Sequence, residues 1–96
     1  MRNYEVMYIL KADLDEAARK ELIAKVNAII TDNGGKILGI DESMGLRELA
    51  YPIKDQVKGY YVVIKISADI QATNEFNRLV KINPNVLRHL IVVAHE

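Results

Sequence analysis

The sequence predicts an α+β sandwich with element order β-α-β-β-α-β. Three features carry that expectation. Alternating apolar residues mark four strand-like stretches. Two segments switch to helical spacing, after the first and third of them. The 96 residues contain no Gly-, Ser- or Pro-rich linker, so residues 1–96 read as a single domain with one two-layer core.

The first strand is expected over "NYEVMYIL" (3–10), where Tyr4, Val6, Tyr8 and Leu10 alternate with Glu5, Met7 and Ile9. "DLDEAARKELIAKVNAIITDNGG" (13–35) follows as a helix. Ala18, Leu22, Val26, Ile29 and Ile30 form its stripe, Asp13 and Glu16 have capping-box spacing, and Gly34-Gly35 closes it. "KILGIDESMG" (36–45) starts the second strand, and "LRELAYPI" (46–53) continues it with irregularity, because Gly45 and Pro52 suit a bulge or an edge. "KDQVKG" (54–59) reads as a polar turn and "YYVVIKIS" (60–67) as the third strand. "ADIQATNEFNRLVKI" (68–82) is a second helix with Asp69 as N-cap and Ala72, Phe76, Leu79 and Val80 as its apolar stripe. Pro84 ends it, since the residue before proline avoids helical backbone. "VLRHLIVVA" (86–94) is the fourth strand. This order is that of the ferredoxin-like split βαβ, a four-stranded antiparallel sheet with two helices on one face. Right-handed crossovers put the first and third strands in the middle and leave the other face of the sheet uncovered.

"KGYYVVIK" (58–65) has the outline of the octapeptide with which RNA-recognition motifs stack bases on their third strand. Alternation argues against that use. Tyr60, Val62, Ile64 and Ile66 form the fully apolar set and belong to the core. The two stacking positions, Tyr60 and Val62, would therefore point away from RNA. The opposite set places Tyr61, Val63 and Lys65 on the uncovered face beside Met7 and Ile9. From the last strand either Arg88, Leu90 and Val92 or their neighbours join them, and the Arg88 set is favoured. An apolar plane of this kind marks a protein interface.

Net charge is zero, from 13 basic and 13 acidic residues. Bulk electrostatic attraction to nucleic acid is thereby excluded, and any RNA contact needs a local patch or a partner's charge. There is no cysteine, hence no disulfide and no thiolate chemistry. "MRNYEVMYIL" reads as neither a signal peptide nor a membrane span. His89 and His95 have no companion ligands at metal spacing, so neither a metal nor a cofactor is expected. No nucleophile–base pair, phosphate-binding glycine loop or catalytic carboxylate pair is present, and an enzyme is not expected. Acylphosphatases share the topology, but "KADLDE" stands where their anion loop would be, and its acids would repel an acyl phosphate.

"GLRELAYPIK" (45–54) is the most specific stretch. It resembles the signature of the bacterial small-subunit ribosomal protein S-six family at Gly45, Arg47, Glu48, Leu49, Ala50, Tyr51, Ile53 and Lys54. "MRNYEVMYIL", "KGYYVV" and "INPNVLRHLIVV" resemble other parts of that family's pattern, while Met44 and Leu46 depart from its usual Trp and basic residue. The resemblance implies a cytoplasmic, structural component of the small ribosomal subunit. It implies pairing with ribosomal protein S-eighteen and joint binding to the central domain of the small-subunit ribosomal RNA.

On that reading Arg2, Arg47, Lys54, Arg78, Lys81 and Arg88 are candidate RNA contacts. Arg78, Lys81 and Arg88 share an acid-free stretch between Glu75 and Glu96 and are expected to form a positive margin. Arg47 has an alternative in pairing with Glu48 or Asp41. Met7, Ile9, Tyr61, Val63, Lys65, Arg88, Leu90 and Val92 form the candidate partner interface. Tyr51, before Pro52, reads as a packing anchor with a hydrogen-bonded hydroxyl. A generic ferredoxin-like interaction or dimerisation module is the alternative function.

Overall fold

The computed structural model describes residues 2–53 and 55–94. The elements run β1 (Arg2–Lys11), α1 (Glu16–Asp32), β2 (Lys36–Ile53), β3 (Gln56–Ala68), α2 (Ile70–Ile82) and β4 (Val86–Val93). The four strands form one antiparallel sheet in the order β2-β3-β1-β4, with β3 and β1 central as right-handed crossovers require. The β1–β3 register is unbroken from Arg2↔Ala68 to Lys11↔Gly59.

Both helices cover the same face. Val6, Tyr8 and Leu10 of β1 and Val62, Ile64 and Ile66 of β3 are fully buried against Val26, Ile30 and Phe76. Each such side chain stabilises the fold by about 1.5–3 kcal/mol. The rings of Tyr8 and Phe76 lie 6.1 Å apart, and burial pushes the Tyr8 phenol far above its usual pKa, so it stays protonated. Tyr60 faces the same layer but lies half-buried at its margin, which confirms that the base-stacking register is absent.

The start of α1 differs from expectation. Asp15, not Asp13, is the N-cap, and its Oδ1 accepts a hydrogen bond from the Ala18 amide at 2.7 Å. Glu16 therefore stands at the first helical position rather than the third. There it lies near the positive end of the helix dipole and 3.1 Å from Lys20, whose hydrogen bond and charge lower its carboxyl pKa. The helix ends as expected. Gly34 takes φ +85° beyond the cap residue Asn33, its amide bonds to the Thr31 carbonyl, and the Gly35 amide reaches the Ile30 carbonyl at 2.9 Å. This is the Schellman pattern.

In α2, Asp69 occupies the N-cap and its carbonyl accepts from the amides of Ala72 and Thr73. Asn83, before Pro84, is extended (φ −91°, ψ 114°), and its side chain accepts from the Asn85 amide.

The hairpin of β2 and β3 is longer than the sequence suggests. The expected turn over 54–59 is mostly strand, because Ile53 already pairs with Gln56, and Asp55 takes φ 64° between them. Lys54 lies outside the described residues. Three register breaks interrupt β2, between Ile37 and Gly39, between Asp41 and Gly45, and between Glu48 and Ile53. Gly45 supports the second with φ +56°, and the Asp41 carboxylate accepts from the Ser43 amide at 2.8 Å.

Candidate interaction surface

The register lays out the helix-free face in rows across the sheet. One row reads Gly39, Lys65, Glu5, Val92. The next reads Asp41, Val63, Met7, Leu90, and the third Gly45, Tyr61, Ile9, Arg88. The favoured last-strand set is therefore the one that joins this face, while Val86 and Ile91 of β4 pack into the helix-side core and His89 packs against Phe76 of α2. Leu90 and Val92 are about half exposed, at 51% and 45%. Glu5 and Asp41, which the sequence reading did not place here, stand directly opposite Lys65 and Val63. The first row is thus close to charge-neutral, and the second is apolar at three of its four positions, from β3 through β1 to β4.

The third row is not as open as expected. Ile9 is only 5% exposed, although no helix covers it. The far end of β2 curls over this end of the face. Gly59 makes room for it: a Cβ there would collide with Ile9 Cγ2 and lie 3.3 Å from Leu49 Cδ2. The Tyr51 hydroxyl accepts a hydrogen bond from Arg88 Nη1. That contact joins β2 and β4, the two outer strands, across β3 and β1. Met7, Ile9, Tyr61, Arg88, His89 and Leu90 line a hollow of about 250 Å³ beside it. Sequence reading placed Tyr51 as an anchor with a bonded hydroxyl, and the bond exists, but the side chain is 56% exposed and its partner was not foreseen. The equal parity of Leu49, Tyr51 and Ile53 was the available signal.

The candidate RNA residues do not form one patch. Arg2 lies at the start of β1 on the helix side, in a depression shared with Tyr4, Ala68, Asp69 and Ile70. Arg88 stands opposite Ile9 on the other face, about 23 Å further along β1 at strand rise. Arg78 and Lys81 belong to α2 in the helix layer, and the Arg78 guanidinium is held by Glu75 at 2.8 and 3.2 Å. The expected margin of Arg78, Lys81 and Arg88 is therefore split between the two sides of the sheet, because Arg88 alone takes the outward register. Arg47 pairs with neither Glu48 nor Asp41, and its Nε donates to the Met44 carbonyl at 3.0 Å.

Sequence reading also missed a cluster between α1 and the hairpin. The Arg19 guanidinium sits 4.2 Å above the Tyr60 ring, and the Tyr60 hydroxyl donates to Glu42 at 3.0 Å. His89 packs edge-on against Phe76 at 5.9 Å. Its pKa is lowered, first by burial and then by the Lys81 charge, so it is neutral at pH 7 and structural.

Comparison with known proteins agrees with this architecture. The profile of the family described as Ribosomal protein S6 matches residues 3–93. A small ribosomal subunit protein bS6 of Shouchella clausii is 50% identical over 91 residues, covering 95% of each chain. Its counterpart in Halalkalibacterium halodurans is 49% identical over 96 residues and the full length of both. A crystal structure of 30S ribosomal protein S6 from Thermotoga maritima superposes with a TM-score of 0.90 at 32% identity, covering 97% of this chain and 87% of that one. The ferredoxin-like sheet and the signature stretch over Gly45–Ile53 thus find their explanation together: the chain belongs to the Ribosomal protein S6 family of the small ribosomal subunit.

Proposed function

We propose that this chain is a structural, non-catalytic protein of the cytoplasmic ribosome. On this reading it binds the central domain of the small-subunit ribosomal RNA together with ribosomal protein S-eighteen and offers that protein the helix-free face of its sheet. The observation that carries the reading is the row of Val63, Met7 and Leu90, apolar and uncovered by any helix. Leaving such a row in water forgoes apolar burial that a partner would recover. The charge distribution supports a shared RNA site. Net charge is zero, and the candidate cations are scattered over both faces. A chain arranged in this way neutralises few phosphates by itself.

The test is a gel shift of a central-domain RNA fragment with the chain alone, S-eighteen alone and both together. The expected result is weak binding alone and much tighter, salt-sensitive binding by the pair. Tight binding by the chain alone would overturn the joint mode. A chain that self-associates and ignores both partners would establish a dimerisation module instead.

A further inference from the structure

We infer that the β4 edge of the sheet is an interface between two copies of this chain: β4 pairs antiparallel with β4 of a second copy about a two-fold axis at Ile91, joining the two sheets into one. The contact uses backbone groups at the rim of the sheet, so it stands apart from the reading of the open face as a partner's site.

The two outer strands differ. Register breaks interrupt β2, and it carries Gly39, Gly45 and Pro52 with the acids Asp41, Glu42 and Glu48. Breaks, prolines and charges of this kind keep an edge from adding another strand. β4 holds no glycine, proline, lysine or acid, and its register with β1 is unbroken from Arg88 to Val93. Among the described residues no strand lies beyond it, and Leu90, Val92 and Val93 are exposed. Its two polar side chains do not guard the rim. Arg88 donates through Nη1 to the Tyr51 hydroxyl of the opposite outer strand, so its guanidinium leans inward across the sheet, and His89 packs against Phe76.

The register also says which backbone groups point outward. The Ala94 amide donates to the Asn3 carbonyl at 2.9 Å, and bonded pairs in an antiparallel ladder recur at every second residue. Val92, Leu90 and Arg88 therefore turn their amides and carbonyls toward β1, whereas Val93, Ile91 and His89 turn theirs past the edge of the sheet. A second β4 matches this row. With Ile91 opposite Ile91 of the second copy, His89 faces Val93 and Val93 faces His89, and about six interchain bonds form. The two Arg88 side chains fall at opposite ends of the seam. On the open face Leu90 lies beside Val92 of the second copy, a cross-strand apolar pair that continues the row of Val63, Met7 and Leu90. Symmetry selects a second copy in this arrangement. Joining β4 to β4 closes a two-fold dimer, whereas joining β4 to β2 would run on as a filament, and the broken, curled β2 offers no straight strand for that.

The test is sedimentation equilibrium of the full chain from about 10 μM to about 1 mM. The expected result is a monomer–dimer equilibrium with a midpoint on the order of 100 μM, as suits a contact at the small end of interface sizes. Over the same range hydrogen exchange should slow at the amides of His89, Ile91 and Val93 and stay level at Leu90 and Val92. Val93→Pro removes an outward N–H without breaking a bond to β1, and it should weaken the dimer about tenfold or more with little change in melting temperature. Leu90→Lys sets beside the seam the charge that guarded edges carry and should do the same. Val63→Asp, on β3, lies away from the seam and should leave the dimer intact. A chain that stays monomeric at 1 mM, a dimer that survives both edge variants, or protection gained along β2 instead of β4 would overturn the edge contact. So would a dimer that Val63→Asp dissolves and Val93→Pro does not, since the two copies would then stack by their open faces.

Discussion

The two faces of the central strands are made of neighbouring residues and have opposite fates. Val62 is fully buried beneath the helices, and Val63, one residue on, lies half-buried on the face they leave free. Tyr8 is sealed in the core between Met7 and Ile9, which look the other way. Composition separates the two faces only in part: the covered one is apolar throughout its core, and the open one sets Met7, Ile9, Tyr61, Val63, Leu90 and Val92 among Glu5, Asp41, Lys65 and Arg88. What separates them is that α1 and α2 return to the same side, so one apolar layer is satisfied within the chain and the other is not.

The sharpest way to break that contrast is to place a charge on each side in turn. Val62→Asp should unfold the domain, with a loss on the order of 4 kcal/mol or more from a fold whose total stability is about 5–15 kcal/mol. Val63→Asp should melt close to the wild type. Urea denaturation followed by circular dichroism measures both, and comparable losses would mean that the faces are not distinct.

A smaller effect is expected where the open face is covered by its own hairpin. Gly59→Ala forces Ile9 and Leu49 apart and should cost about 1–3 kcal/mol in the same assay, as overpacking does. A neutral result would show that the curled end of β2 is not held down. The helix-covered face depends on α1 starting where it does. Asp15→Ala should cost about 1 kcal/mol and Asp13→Ala close to nothing, because only the Asp15 carboxylate caps the Ala18 amide. Equal losses would restore the capping box first expected from Asp13 and Glu16.

The smallest effect is a pH dependence. His89 has a folded-state pKa below its ordinary 6.5, from burial first and Lys81 second. The unfolded chain therefore binds the extra proton more readily, and stability should fall as pH drops through 6.5 toward the folded-state pKa. It should be level with respect to this group above 6.5. His89→Gln should flatten that slope in thermal melts at pH 5 to 7.5. A slope of opposite sign would mean that the imidazole gains a partner when charged.

Much of this was legible in the sequence because it depends on period alone. Alternation in 3–10 and 60–67 assigned both faces of β1 and β3, whereas in β4 it left Arg88, Leu90 and Val92 or their neighbours as alternatives, with the first set favoured, and the register with β1 decides for that set. Glycine and proline chemistry marked the end of α1 and the extended Asn83. Contacts between residues far apart in the chain were not legible. The bond from Tyr51 to Arg88 spans 37 positions and depends on a curl that no local pattern encodes. The pairing of Arg78 with Glu75 was within reach of i,i+3 spacing on a helix, because Glu75 is the acid that precedes the acid-free stretch. Asp13 and Asp15 are both competent caps, and where the chain leaves β1 decides between them.

The most direct test is amide chemical-shift mapping of the isotope-labelled chain as unlabelled S-eighteen is added. The largest changes are expected at Met7, Val63, Leu90 and Val92, with α1 and α2 little affected. Changes concentrated on the two helices, with those four amides unmoved, would contradict the assignment of the open face as the partner's site.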